Sequence, residues 1–126
     1  MNNFSEIIGK TLVEWEGAIG DSIITMKFSD NSVYQMFHSQ DCCESVSVDD
    51  IAGDIADLIG SPLLKVEEST SNENPIGLTG GTNEYQDSFT WTFYKLATIK
   101  GYVDIRWYGE SNGYYSESVE FEKVSP

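Results

Sequence analysis

Within the seven residues His38-Ser-Gln-Asp-Cys-Cys-Glu44 the chain gathers its only histidine, both cysteines and two acids. Thiolate and imidazole are good zinc ligands, but the spacing offers no C-x-x-C pair and no second histidine. A cysteine nucleophile activated by His38 is another reading, and it requires the two side chains to meet. A third has the small cysteines packing beneath a sheet in a strand-to-helix connection, because free cysteine is among the most buried residue types. A fourth makes His38 a ligand contact.

Three further groups could do chemistry. Asp49, Asp50, Asp54 and Asp57 could hold Mg²⁺ or Ca²⁺ or exchange protons. They fall between apolar positions, however, as on the solvated face of an amphipathic helix. Gly80-Gly81 could cradle a phosphate through backbone N–H groups. No Lys-Ser/Thr follows and no helix opens there, so this is not a Walker motif. The last group is polar and aromatic: Tyr94, Arg106 and Tyr108, with Ser111, Asn112, Tyr114 and Tyr115 in and after a turn. Stacking planes, hydroxyls and one bidentate cation suit nucleobases and phosphates. Tyr and Arg are equally the types enriched at protein–protein hot spots. The plain alternative pairs Arg106 with Glu117 or Glu120 across neighbouring strands. No catalytic motif, metal set or cofactor motif is read from the chain, which points to a protein that is not an enzyme.

The elements that position these groups follow from periodicity. Residues 89–121 read as three strands joined by two tight turns. Phe89, Trp91 and Phe93 would share a core face with Val103, Ile105 and Trp107, by period-two alternation. Thr90, Thr92, Tyr94, Asp104, Arg106 and Tyr108 would then lie opposite. Upstream, Thr11–Glu16, Ser22–Ser29 and Val33–His38 read as a meander of hairpins, with Ile24, Met26 and Phe28 in register and a turn at Asp30-Asn31. In Val48–Gly60 the spacing of Ile51, Ile55, Leu58 and Ile59 predicts an amphipathic helix. Ser47 would be its N-cap, Asp49 and Asp50 its first turn, and Gly60 with Pro62 its stop. Leu63–Glu68 reads as a further strand. Residues 69–87 lose all periodicity and read as a long loop, a possible lid. The expected fold is α+β: a twisted, mainly antiparallel sheet of about seven strands with one helix packed on one face, in a single domain spanning 1–126.

The chain has 126 residues and a formal net charge of −14. A field of that sign repels nucleic-acid backbones and anionic membrane surfaces. Local pockets remain open to small anions, because the field is screened over about 8–10 Å. The first residues show no basic-then-apolar secretory pattern, and no run approaches the ~20 apolar residues of a membrane span. Cys42 and Cys43 are adjacent, a spacing at which bridging is rare, so a reduced, cytosolic protein is expected. Exposed aromatic hairpins suggest a homo-oligomer.

The strings His38-Ser-Gln-Asp-Cys-Cys-Glu-Ser-Val, Asp54-Ile-Ala-Asp-Leu-Ile-Gly-Ser-Pro-Leu, Trp91-Thr-Phe-Tyr-Lys-Leu-Ala-Thr-Ile-Lys-Gly and Ile105-Arg-Trp-Tyr-Gly-Glu-Ser-Asn-Gly-Tyr-Tyr-Ser-Glu-Ser-Val resemble an uncharacterised family of small acidic proteins carried by phages and prophages. The resemblance spans roughly residues 6–122 and brings no assigned activity. It implies a protein of the host cytoplasm acting against host defence. Two mechanisms are expected of such a protein. One sequesters a small nucleotide-derived immune signal without chemistry, with Arg106 clamping phosphate, Tyr94, Tyr108, Tyr114 and Tyr115 stacking or hydrogen bonding, and Ser111, Asn112 and His38 completing the site. The other blocks or adapts a host defence protein through the aromatic surface.

Overall fold

The computed structural model describes residues 4–72, 88–112 and 115–125. Among these residues eight strands form two four-stranded antiparallel sheets. They are β1 (Leu12–Glu16), β2 (Ile23–Phe28), β3 (Val33–Phe37), β4 (Ser45–Ala52), β5 (Lys65–Ser71), β6 (Ser88–Thr98), β7 (Gly101–Ser111) and β8 (Glu120–Ser125). The first sheet has the order β1-β2-β3-β8 and the second β4-β7-β6-β5.

The N-terminal meander is as the alternation predicts. Ile24, Met26 and Phe28 of β2 and Tyr34 and Met36 of β3 are buried, with polar residues between them. They meet Val46, Val48, Tyr94, Leu96, Val103, Ile105 and Trp107 of the second sheet in one core. Such two-layer packing is how sheets with one apolar face each bury it. Phe4 of a short 3₁₀ turn closes an end of this core, its ring edge-on to Tyr94 and Phe121 at 4.8 and 5.1 Å.

Four expectations are corrected. The α+β class gives way to an all-β architecture, because among the described residues the only helices are 3₁₀ turns at Phe4–Ile7 and Ile55–Asp57. Val48–Gly60 is not one helix. Val46 and Val48 alternate inward as strand residues, and β-branched side chains favour a pleated surface. Gly53 then ends any continuous helix: its φ is +106°, and a Cβ there would stand 2.5 Å from the Tyr102 carbonyl oxygen. Asp54 does cap a helix, but the short one, accepting from the Ala56 N–H at 3.0 Å. Leu58 still reaches the core, so the apolar spacing was a turn and a strand end read as one stripe.

The second correction is the phase of β6. Thr98 pairs with Gly101 around a two-residue turn, which sets every even position of β6 opposite an odd position of β7. The inward Val103, Ile105 and Trp107 therefore share their face with Leu96, Tyr94 and Thr92. Phe89, Trp91 and Phe93 turn outward with Arg106 and Tyr108.

Third, the last strand does not extend this hairpin. β8 crosses to the other sheet and pairs with β3, Met36 opposite Phe121. Neither Glu117 nor Glu120 is thereby a partner of Arg106. Glu117 is buried and accepts hydrogen bonds from the Thr90 and Ser111 hydroxyls, and Glu120 accepts from Ser39 at 2.9 Å.

Fourth, Cys42 and Cys43 are joined to each other by a disulfide in place of free thiols. Among the described residues no helix is long and apolar enough to cross a membrane.

Candidate binding site

The outer face of the second sheet is built around Arg106. Opposite it, β4 carries a bulge between Val48 and Asp50. Before the bulge Val46 and Val48 point inward; after it Ile51 packs on the core. The extra residue lets Asp49 and Asp50 both stand beside Arg106, which is the re-aiming that bulges perform. Asp49 Oδ2 accepts from Arg106 Nε and Nη2, each at 2.6 Å. Both side chains keep partial exposure, 27% and 35%, so the pair orients more than it stabilises.

On the β6 side the guanidinium lies 5.5 Å from the Trp91 ring centroid. Trp91 is 3% exposed although it faces away from the core. Tyr108 packs on it at 4.6 Å and on Phe89 at 6.3 Å, and donates its hydroxyl to Glu110 at 2.9 Å. A cation above an aromatic face and rings in tilted contact are favourable arrangements.

Beside this stack a groove of about 680 Å³ crosses all four strands of the sheet, a volume in the range of ligand and side-chain pockets. Asp50 and Ala52 of β4, Asp104 and Arg106 of β7, Phe93 and Lys95 of β6 and Glu67, Glu68 and Ser69 of β5 line it. Lys95 lies 3.9 Å from Asp104 and 5.4 Å from the Tyr102 ring centroid.

Of the residues singled out in the sequence, Arg106 lies in the groove and Tyr108 beside it. Tyr94 borders the groove floor but turns its ring into the core, at 1% exposure. Ser111 is buried, holding Glu117 and the Tyr115 carbonyl. Asn112 ends the described part of β7's turn and Tyr115 opens the crossover to β8; neither lines the groove. Tyr114, Gly80-Gly81 and most of the expected lid lie outside the described residues, while Ser69–Ser71 belong to β5. The groove residues that sequence reasoning missed are Phe93, Lys95 and the β5 acids, while Asp50 is read there only as one of an acid cluster on a helix. The signal that finds Phe93 and Lys95 is the two-residue turn, whose parity places them beside Arg106.

His38 is elsewhere, in the β3–β4 connection. Its Nδ1 donates to the Ser118 carbonyl at 2.6 Å and its Nε2 meets Glu44 Oε2 at 2.7 Å. Both nitrogens are thus engaged by the protein, and the cysteines are tied to each other, so this arrangement offers neither a base nor a thiolate. Glu44 also accepts from the Asp41 and Cys42 N–H groups and from Gln40 Nε2. Burial pushes the Glu44 carboxyl up, but the hydrogen bonds from His38, Cys42 and Asp41 prevail and hold it at about 2. A carboxylate receiving several N–H groups behaves in this way. The cluster clips a loop shut. Among the described residues no three His, Cys, Asp or Glu side chains converge as metal ligands.

Fold and site together define a small two-sheet β domain with one grooved, aromatic outer face. Residues 5–121 match DUF7448, a domain of unknown function, and the chain belongs to that family. No curated protein and no solved structure matches it.

Proposed function

We propose that the protein acts by binding, without chemistry of its own, and that its groove on the second sheet receives a segment of a protein partner. The observation that carries this is the groove itself: about 680 Å³ on an open sheet face, floored by Phe93 and walled by Arg106 held over Trp91. Phe, Trp, Tyr and Arg on one rigid face are the composition of an interaction hot spot. In keeping with the resemblance above, the partner is a host defence protein that this face blocks or adapts.

Sequestration of a nucleotide-derived signal is the second reading. The Arg106–Trp91–Tyr108 stack favours it, since such planes suit a base and a phosphate. Against it, Arg106 already gives two hydrogen-bonding groups to Asp49.

The test is native mass spectrometry of the purified protein with a panel of cyclic and ADP-ribose-derived nucleotides. It is run beside quantitative pulldown from host lysate, with wild type, Phe93→Glu and Arg106→Ala. The expected result is no nucleotide mass and a host protein that both variants lose. A nucleotide mass lost in Arg106→Ala would replace the partner reading with the sequestration reading. A host protein retained by both variants would move the interface off this face.

A further inference from the structure

We infer that the partner segment seated in the groove is basic, presenting lysine or arginine side chains to the Asp50–Asp104 wall over Phe93. This rests on the protein-partner reading of the same groove. Charge is the first argument. Three carboxylates stand on the groove's face of the sheet (Asp50, Asp104 and Glu67, the last 3.1 Å from Lys65) against two cations, Lys95 and Arg106, while Glu68 pairs with the inward Tyr94. Both cations already have acids beside them, Asp49 at 2.6 Å and Asp104 at 3.9 Å. An incoming anion would have to pull Arg106 from Asp49 while facing Asp50 directly across the ladder. An incoming cation meets Asp50 directly and shares Asp104 with Lys95, whose 3.9 Å contact is longer than the 2.6 Å Arg106–Asp49 pair, and the chain's net charge of −14 steers it inward.

Geometry is the second argument. Asp50 pairs with Arg106 and Ala52 with Asp104. Asp50 and Asp104 are therefore diagonal neighbours on one face, roughly 7–8 Å apart at Cα. One guanidinium or ammonium group fits between such carboxylates. Phe93, opposite Arg106 on β6, supplies the ring face on which a cation or its aliphatic stem packs.

The experiment uses the full chain and a fluorescein-labelled oligolysine as probe. Fluorescence anisotropy gives affinity, and ¹⁵N–¹H spectra locate the site. The double variant Asp50→Asn/Asp104→Asn removes the wall. Glu14→Gln/Glu16→Gln, on the exposed side of β1, removes the same charge elsewhere. ATP and a cyclic dinucleotide are titrated in parallel. We expect amide shifts centred on Asp50 and Asp104, with the wall variant weakening oligolysine about fivefold and the β1 variant less than about twofold. Equal weakening by both variants would mean a diffuse field and would overturn the inference. A nucleotide that shifts the groove amides where oligolysine does not would also overturn it, yet leave the groove as the binding face. If no probe shifts those amides, the inference falls, and the groove reading is decided separately by the pulldown with Phe93→Glu and Arg106→Ala.

Discussion

Replacing Gly53 with alanine separates the observed β4 ending from the helix that the apolar spacing suggests, because the two arrangements demand opposite signs. In a helix interior, Gly→Ala stabilises by roughly 0.5–1 kcal/mol. In the observed structure Gly53 has φ +106°, and its new Cβ would lie 2.5 Å from the Tyr102 carbonyl oxygen and 3.2 Å from Val103 Cα. The left-handed backbone costs an L-residue about 1–2 kcal/mol. The contacts are with backbone of β7, paired on both sides by β4 and β6, so they cannot be relieved by rotating a side chain. Overpacking of this kind adds about 1–3 kcal/mol. The expected loss is therefore about 2–5 kcal/mol. With a urea slope of about 2 kcal/mol/M for a domain this small, the midpoint should fall by roughly 1–2.5 M. Urea unfolding followed by tryptophan fluorescence measures it. An unchanged or raised midpoint would refute the reasoning and restore a helix through Gly53.

Two further outcomes are expected. Tyr94→Ala should destabilise by about 3–5 kcal/mol as a large core ring is deleted, whereas Arg106→Ala should stay within about 1 kcal/mol because its ion pair is half open to water; thermal melts of both variants check the contrast, and equal losses would put Tyr94 outside the core. Glu44 is held at about 2, below its ordinary 4.5, so its contribution is full above about 4.5 and lost as pH falls toward 2. Melting temperatures measured down that window should therefore fall more steeply in wild type than in Glu44→Gln, and parallel curves would show that the His38–Glu44 clip does not couple to folding.

The parts of the fold legible in the sequence are those where one face is apolar and the other is not. β2 shows this best: Ile24, Met26 and Phe28 are buried and alternate with Thr25 and Lys27, with Ile23 alone among its apolar residues exposed. β6 defeats the same logic, because both of its faces carry rings. Phe89, Trp91 and Phe93 look more like core than Thr92, Tyr94 and Leu96 do, yet the turn decides. Periodicity says that residues alternate; only pairing says which set goes in. Val48–Gly60 failed for a related reason. A bulge shifts β4 by one residue after Val48, so its apolar positions cease to alternate and come to mimic a 3.6-residue period.

The same phase error explains what was and was not legible in the site. The alternation of β7, whose apolar set is unambiguous, turns Arg106 and Tyr108 outward, and they stand outward. The alternation of β6 turns Tyr94 outward, and it is core. Correcting β6 replaces Tyr94 by Phe93 and Lys95, and the bulge in β4 brings Asp49 and Asp50 alongside. The aspartates make the face less suited to a phosphate and better suited to a cation, against the ammonium of Lys95, which stands 3.9 Å from Asp104. A guanidinium for which the sequence offers Glu117 or Glu120 as partners carries instead a carboxylate from a strand 57 residues away. Such long-range pairing leaves no trace in local spacing. It also reverses the chemistry: Arg106 serves as the fixed wall of an acidic groove, and the residues that select the occupant are the aspartates around it.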